Sequence, residues 1–155
     1  DPADARAAIE RSIDRLRRVR AFHLVVVARV DDGRGVRATW IGWDGRELRA
    51  EQAPPPCLFV SALLDPSGAE RERGRSWDRF LKRRDAATLD ALGAWLANHD
   101  PTPGMLSTCV HRPDARTVSR TLARVPPSGA IEVRYLDGPP CEAASVEHRY
   151  ELQRR

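Results

Sequence analysis

The residue types of a serine hydrolase triad occur close together in the C-terminal third of the sequence. Ser107, His111 and Asp114 could supply a nucleophile, a base and an orienting carboxylate. However, no Gly-x-Ser-x-Gly turn surrounds either Ser107 or Ser119. Four residues along a strand span roughly 13 Å, so Ser107 and His111 would be too far apart for a direct hydrogen bond. We therefore interpret this grouping as a chance one.

Cysteine and histidine in the same segment could instead ligate a metal ion. Cys109 and His111 are separated by one residue, and Cys57 or Cys141 could complete a zinc site. The sequence nevertheless lacks the Cys-x2-Cys pairs that usually pre-organise such sites. We therefore expect Cys109 to be a small buried core residue, and we expect neither a structural metal nor a cofactor.

The most unusual segment of the chain is residues 111–119, with the sequence HRPDARTVS, because it holds many hydrogen-bonding groups beside two predicted strand ends. Its two arginines and its histidine could hold a carboxylate or a phosphate of a ligand. Alternatively, the segment is a polar hairpin end with internal salt bridges, because Arg-Pro-Asp is also favourable turn chemistry. The sequence leaves both interpretations open. His99 and His148 have no partner pattern, so no role is predicted for them.

Composition limits the function classes. The chain of 155 residues has 22 acidic and 26 basic side chains, of which all but Lys82 are arginines, and its net charge is +4. The arginines are scattered among acids and only 6% of residues are aromatic, so we do not expect a nucleic-acid partner. No run approaches the ~20 apolar residues of a membrane span. Three widely spaced cysteines make a reducing cytoplasm the simplest location.

Hydrophobic periodicity predicts mixed secondary structure in one domain over residues 1–155. Three helices are expected: residues 1–18, 65–84 and 85–98. Eight strands are expected: residues 22–30, 36–43, 47–51, 57–63, 105–111, 116–125, 130–136 and 145–152. Residues 22–30 are almost continuously apolar, which is typical of a strand buried on both faces.

This order of elements predicts an α+β architecture, with mostly antiparallel sheets and helices packed outside. An Asp-Gly pair at residues 44–45 indicates a hairpin between the second and third strands. Residues 105–111 and 116–125 are expected to be adjacent antiparallel strands around the turn at residues 112–115.

Two stretches near the end carry a resemblance to a known family. They are residues 107–119 (STCVHRPDARTVS) and residues 137–142 (DGPPCE). Both are similar to stretches of bacterial members of the NRDE (Asn-Arg-Asp-Glu) family, which is related to the transport and Golgi organisation proteins of animals. The resemblance covers most of this chain but only about the C-terminal part of the family.

The resemblance implies an αββα sandwich like that of the N-terminal-nucleophile (Ntn) hydrolases. It implies hydrolysis of a non-peptide amide bond by a cysteine that directly follows the initiator methionine. Asp1 cannot act as that nucleophile, and the Asn-Arg-Asp-Glu motif does not occur in this sequence. We therefore expect a truncated member that is inactive alone and that exposes an apolar sheet edge or face at residues 24–28.

The family resemblance also implies a set of residues on the substrate side of a small-molecule site. These residues are Ser61, His111, Arg112, Arg116 and Ser119. The alternative function is that of a non-catalytic binding or trafficking protein, because the animal relatives are associated with secretory organisation and with haem handling.

Overall fold

The computed structural model describes residues 7, 11, 20–29, 36–62, 64–126, 130–142 and 146–153, and the statements below concern these residues. The chain divides into two compact units, Asp1–Phe59 and Val60–Arg155, which we describe in turn. Apart from residues 7 and 11, the first predicted helix lies outside the described residues. None of the described helices is long and apolar enough to cross a membrane.

The first unit contains an antiparallel meander of three strands, as the sequence predicted. The strands are β1 (Phe22–Arg29), β2 (Val36–Trp43) and β3 (Leu48–Ala53), in the order β1-β2-β3. Asp44 Oδ1 accepts hydrogen bonds from the backbone N–H groups of Arg46 and Glu47, at 2.7 and 2.8 Å. Gly45 has a φ of 98°, a conformation that favours glycine. The Asp-Gly pair therefore closes the β2–β3 hairpin.

Burial in this sheet differs from the sequence prediction for the first strand. The central strand β2 holds the buried side chains, with Ile41 and Trp43 at 0% and 2% exposure. By contrast, β1 lies at the sheet edge, where Leu24, Val25 and Val27 are 40–60% exposed. The prediction of burial on both faces is therefore wrong for β1 within the described structure, and residues 24–27 form an exposed apolar edge.

A fourth strand at residues 57–63 is not formed in the described part of that segment, residues 57–62, and this prediction is wrong. The three prolines at residues 54–56 have no N–H group to donate to a sheet ladder. In addition, the carbonyl of Ser61 accepts a hydrogen bond from the Arg73 side chain. This stretch is thus held by a side chain rather than by a neighbouring strand.

The second unit begins with both of the helices predicted for the middle of the chain. The first, α1, spans Pro66–Leu81 and is capped by Asp65, whose carboxylate accepts from the Gly68 N–H. The second, α2, spans Leu89–Leu96 with Thr88 as its cap, so it starts four residues later than predicted. Trp95 Nε1 donates to Ser76 Oγ at 3.1 Å, which joins the two helices through a buried hydrogen bond.

A second antiparallel sheet completes this unit. Its strands are β4 (Ser119–Arg124), β5 (Ile131–Asp137) and β6 (Val146–Leu152), in the order β4-β5-β6. Arg120 Nη1 donates to the Gly93 carbonyl at 3.0 Å, and its Nη2 contacts Glu147 at 3.0 Å. A Cβ added at Gly93 would lie 2.9 Å from Arg120 Nη1. Glycine therefore permits the close approach of α2 to β4.

Residues 105–111 do not form the strand that the sequence predicted, and β4 pairs with β5 instead. A single antiparallel bridge joins His111 to Arg116. Backbone bonds run from Thr117 N to the Val110 carbonyl at 3.0 Å and from Arg112 N to the Ala115 carbonyl at 2.9 Å, so the two segments are adjacent and antiparallel over this short stretch. Side chains add to it, since Val110 N donates to Thr117 Oγ1 at 2.9 Å. Within the described residues, two three-stranded antiparallel sheets and two helices confirm the α+β class.

Candidate functional site

A small cavity in the second unit contains two of the residues that the resemblance placed on the substrate side. Ser61 and Arg112 line it together with Arg73, and Met105 and Val110 form an apolar part of its wall. Its volume is about 150 Å³, below the roughly 300–1,000 Å³ of a pocket for a drug-sized ligand. The cavity therefore fits a small molecule, or one end group of a larger one.

Arg73, on α1, is fixed in this cavity by backbone carbonyls alone. Its Nε donates to the carbonyls of Leu106 and Ser107 at 3.3 and 3.1 Å, its Nη1 to Ser61 at 3.1 Å and its Nη2 to Met105 at 3.0 Å. No carboxylate of the described residues lies within ion-pair distance of this guanidinium. Partial burial lowers the pKa of Arg73, but a guanidinium stays protonated. Arg73 thus brings an unbalanced positive charge to the cavity wall.

The other charged groups at the cavity have acidic or backbone partners. Arg112 is 21% exposed and pairs with Asp114, which is 68% exposed, and its Nε lies 3.0 Å from Asp114 Oδ1. Asp65 also lines the cavity, with one carboxylate oxygen engaged by the α1 cap. The ionisable side chains in the wall are therefore two arginines and one aspartate, and of these Arg73 has neither an acidic partner nor a capping role among the described residues.

A cluster of two thiols and two imidazoles lies in the same unit. The ligand atoms of His99, Cys109, His111 and Cys141 all lie within 4.8 Å of one another. Cys109 Sγ is 3.5 Å from Cys141 Sγ and 3.5 Å from His111 Nε2, and His111 Nε2 is 3.0 Å from Cys141 Sγ. These are the side chains that could hold a metal ion. Cys109 and Cys141, which are widely spaced in the sequence, are therefore neighbours in the structure.

Local backbone contacts position this thiol–imidazole cluster. Cys109 N donates to the Asn98 carbonyl at 3.0 Å, so the loop with His99 lies beside the segment with Cys109. The imidazole rings of His99 and His111 meet edge to face at 4.9 Å. Cys109 is fully buried, as the sequence predicted, whereas Cys141 is exposed. Burial, and then the neighbouring Cys141, raises the pKa of the Cys109 thiol to about 11.

The structure separates the five residues that the resemblance grouped. Ser61 and Arg112 line the cavity, while His111 belongs to the thiol–imidazole cluster. Arg116 is exposed and lies 4.0 Å from Glu142. Ser119 is the first residue of β4 and pairs in register with Asp137 on β5. Neither of the last two lines the cavity.

Ser107 and Asp114, which the sequence groups with His111 as the residue types of a hydrolase triad, form structural contacts. Ser107 is fully buried, and its hydroxyl lies within donating distance of the Gly104 and Cys109 carbonyls. Asp114 pairs with Arg112.

Sequence reasoning missed Arg73 and His99. The signal for His99 was weak, since it precedes Cys109 by ten residues across an irregular loop. For Arg73, a half-buried arginine on a charged helix has no distinguishing pattern.

Comparisons of the chain with family models, with characterised proteins and with solved structures found no match.

Proposed function

We propose that this chain is the substrate-binding, C-terminal portion of an NRDE-family, Ntn-hydrolase-like protein, and that its cavity binds the carboxylate of a small molecule. The observation that carries the second part is the Arg73 guanidinium, which faces the cavity beside Arg112 without a carboxylate partner among the described residues. The first part rests on the resemblance of residues 107–119 and 137–142.

The chemistry of the cavity favours a carboxylate. Arg73 uses three of its five N–H groups for protein carbonyls, so two remain for a ligand. Arg112 can exchange its exposed partner Asp114 for a ligand carboxylate, because guanidinium groups bind carboxylates in a bidentate manner. Ser61, at the rim, adds a hydroxyl that can donate to the same anion.

In the complete protein, the proposed reaction is hydrolysis of a non-peptide amide bond, with an αββα sandwich carrying the nucleophile. No cysteine of this sequence follows an initiator methionine, so the proposal assigns to the residues of the cavity the holding and orienting of the substrate. Holding a carboxylate at a fixed point places the rest of the molecule at a fixed distance from a nucleophile, which is the main contribution of such positioning residues.

The alternative proposal, a binding or trafficking protein without catalysis, uses the same cavity. The two differ in whether a bound molecule is cleaved. If the complete protein binds a small carboxylate but cleaves no amide from a broad panel, the result would support the alternative.

The test is isothermal titration calorimetry of the full chain with succinate, and with inorganic phosphate as a second anion. We expect Arg112→Gln to weaken succinate binding roughly 10- to 100-fold, the effect of losing about 1.5–3 kcal/mol from a charged hydrogen bond. Arg116→Gln is the matched control, since Arg116 is exposed and does not line the cavity. Equal weakening by both variants, or no binding by the parent chain, would contradict the proposal.

A further inference from the structure

The thiol–imidazole cluster of His99, Cys109, His111 and Cys141 has the composition of a closed zinc site. Thiolate sulfur and imidazole nitrogen are the common ligands of structural zinc, in a tetrahedral arrangement of four. The cluster contains two of each, and their ligand atoms lie within 4.8 Å of one another. Among the described residues, nothing else in the fold explains why these four metal-ligand side chains converge.

Two separations within the cluster lie close to those of tetrahedral coordination. With Zn–S bonds of about 2.3 Å and Zn–N bonds of about 2.0–2.1 Å, tetrahedral ligands lie about 3.8 Å apart for two sulfurs and about 3.6 Å apart for sulfur and nitrogen. The observed separations from Cys109 Sγ are 3.5 Å to Cys141 Sγ and 3.5 Å to His111 Nε2. The separation from His111 Nε2 to Cys141 Sγ is shorter, 3.0 Å. Because Cys141 is exposed, its side chain can move outward to admit an ion.

A second observation at the same place concerns the imidazole of His99. His99 Nε2 is buried and has no hydrogen-bond partner among the residues that the structure describes. A buried polar atom without a partner costs about 1–3 kcal/mol, and such groups are rare unless an ion or a water satisfies them. A metal ion bound by the cluster could satisfy the unpaired His99 imidazole.

A disulfide does not account for the two cysteines. Their sulfur atoms are 3.5 Å apart, whereas a disulfide bond is about 2.05 Å long, and both cysteines are free.

We propose that His99, Cys109, His111 and Cys141 bind one Zn²⁺ ion as a structural site that fastens the turn containing Cys141 to the segment of residues 98–111. Zinc is the divalent ion that a tetrahedral S2N2 donor set favours. Four protein ligands leave no open position for a substrate, so the ion stabilises the fold rather than performing chemistry. The exposed Cys141 gives the ion a path of entry. This inference stands apart from the carboxylate cavity and replaces our sequence-based expectation of no structural metal.

The test measures metal binding by the full chain. The protein is purified under reducing conditions, stripped with a chelator and titrated with Zn²⁺ against a chromophoric competitor, and the bound metal is counted by elemental analysis. We expect one equivalent of zinc per chain. Titration with Co²⁺ should produce the visible bands of tetrahedral cobalt and a thiolate-to-cobalt charge-transfer band.

Variants identify the ligands. Cys141→Ser should weaken zinc binding more than about 100-fold, which exceeds the loss caused by removing a hydrogen-bond partner of a ligand, whereas Cys57→Ser should leave the affinity within about threefold. Cys57 is the matched control because it is the third free cysteine and lies outside the cluster. If Cys141→Ser does not fold, Cys141→His decides, since it restores a zinc ligand and should retain one equivalent. The proposal is overturned if the parent chain binds no zinc, or if Cys57→Ser loses its zinc. It is also overturned if folded Cys141→Ser binds zinc with the parental affinity, or if folded Cys141→His binds no zinc.

Discussion

Replacement of Arg73 by methionine should destabilise the second unit substantially. In the native chain this guanidinium donates to the carbonyls of residues 61, 105, 106 and 107. Methionine fills a similar length but donates no hydrogen bond, so these carbonyls lose their side-chain donor. A buried acceptor without a partner costs about 1–3 kcal/mol. Because the side chain is only partly buried, we discount the sum for solvent and expect a loss of about 2–4 kcal/mol.

Urea denaturation followed by circular dichroism measures this loss as a lower midpoint at an unchanged slope. In thermal denaturation the same loss corresponds to a decrease in Tm of roughly 5–15 °C for a chain of this size. Arg71→Gln on the same helix is the control, because Arg71 is 56% exposed and, among the described residues, its guanidinium pairs with its neighbour Glu72 rather than with a backbone carbonyl. It should change the free energy of unfolding by less than about 0.5 kcal/mol. A loss below about 1 kcal/mol for Arg73→Met, or equal losses for both variants, would refute the reasoning.

Three other outcomes are expected. Asp65→Ala removes the carboxylate that accepts from Gly68 N at 2.8 Å, and should cost about 1 kcal/mol of stability in urea denaturation; an unchanged midpoint would show that the cap contributes nothing. Trp95→Phe keeps the aromatic packing but leaves Ser76 Oγ without its donor, so we expect a loss of about 1–2 kcal/mol, and a gain in stability would contradict this. The chain alone should cleave no simple amide, since its cysteines lack the free α-amino group of an Ntn nucleophile. Amide cleavage by the purified chain that survives replacement of all three cysteines would point to a different nucleophile. Cleavage that depends on one of the three would overturn the mechanism in which the nucleophile is the cysteine after an initiator methionine.

Local sequence signals predicted those elements whose formation depends on neighbouring residues. The Asp44-Gly45 pair indicated the β2–β3 hairpin, and the structure confirms both the carboxylate bonds and the positive φ. Asp65 before Pro66 indicated the start of α1, which the structure also confirms. In both cases the side chain bonds to backbone within three residues, so no distant part of the chain decides the outcome.

Predictions failed where distant side chains replace backbone pairing. The sequence predicted a strand over residues 105–111, but the carbonyls of residues 105–107 accept from Arg73, more than thirty residues away in sequence. The thiol–imidazole cluster was missed for a related reason. Cys109 and Cys141 are 32 residues apart, and the pairing of β4 with β5 returns the chain to the same place.

The most direct test of the central claim, that the cavity binds a carboxylate through its arginines, is the affinity of the Asp114→Asn variant for succinate. Misfolding can cause a loss of binding but does not cause a gain. Asp114 is the acidic partner of Arg112 and is mostly exposed, so neutralising it frees the guanidinium without disturbing the core. Removing a negative charge a few ångströms from the bound anion should improve binding by about 1.4 kcal/mol, or about tenfold. We predict that calorimetry shows tighter succinate binding by Asp114→Asn than by the parent chain at low ionic strength, and that salt reduces this gain. Unchanged or weaker binding by a folded Asp114→Asn variant would contradict the account.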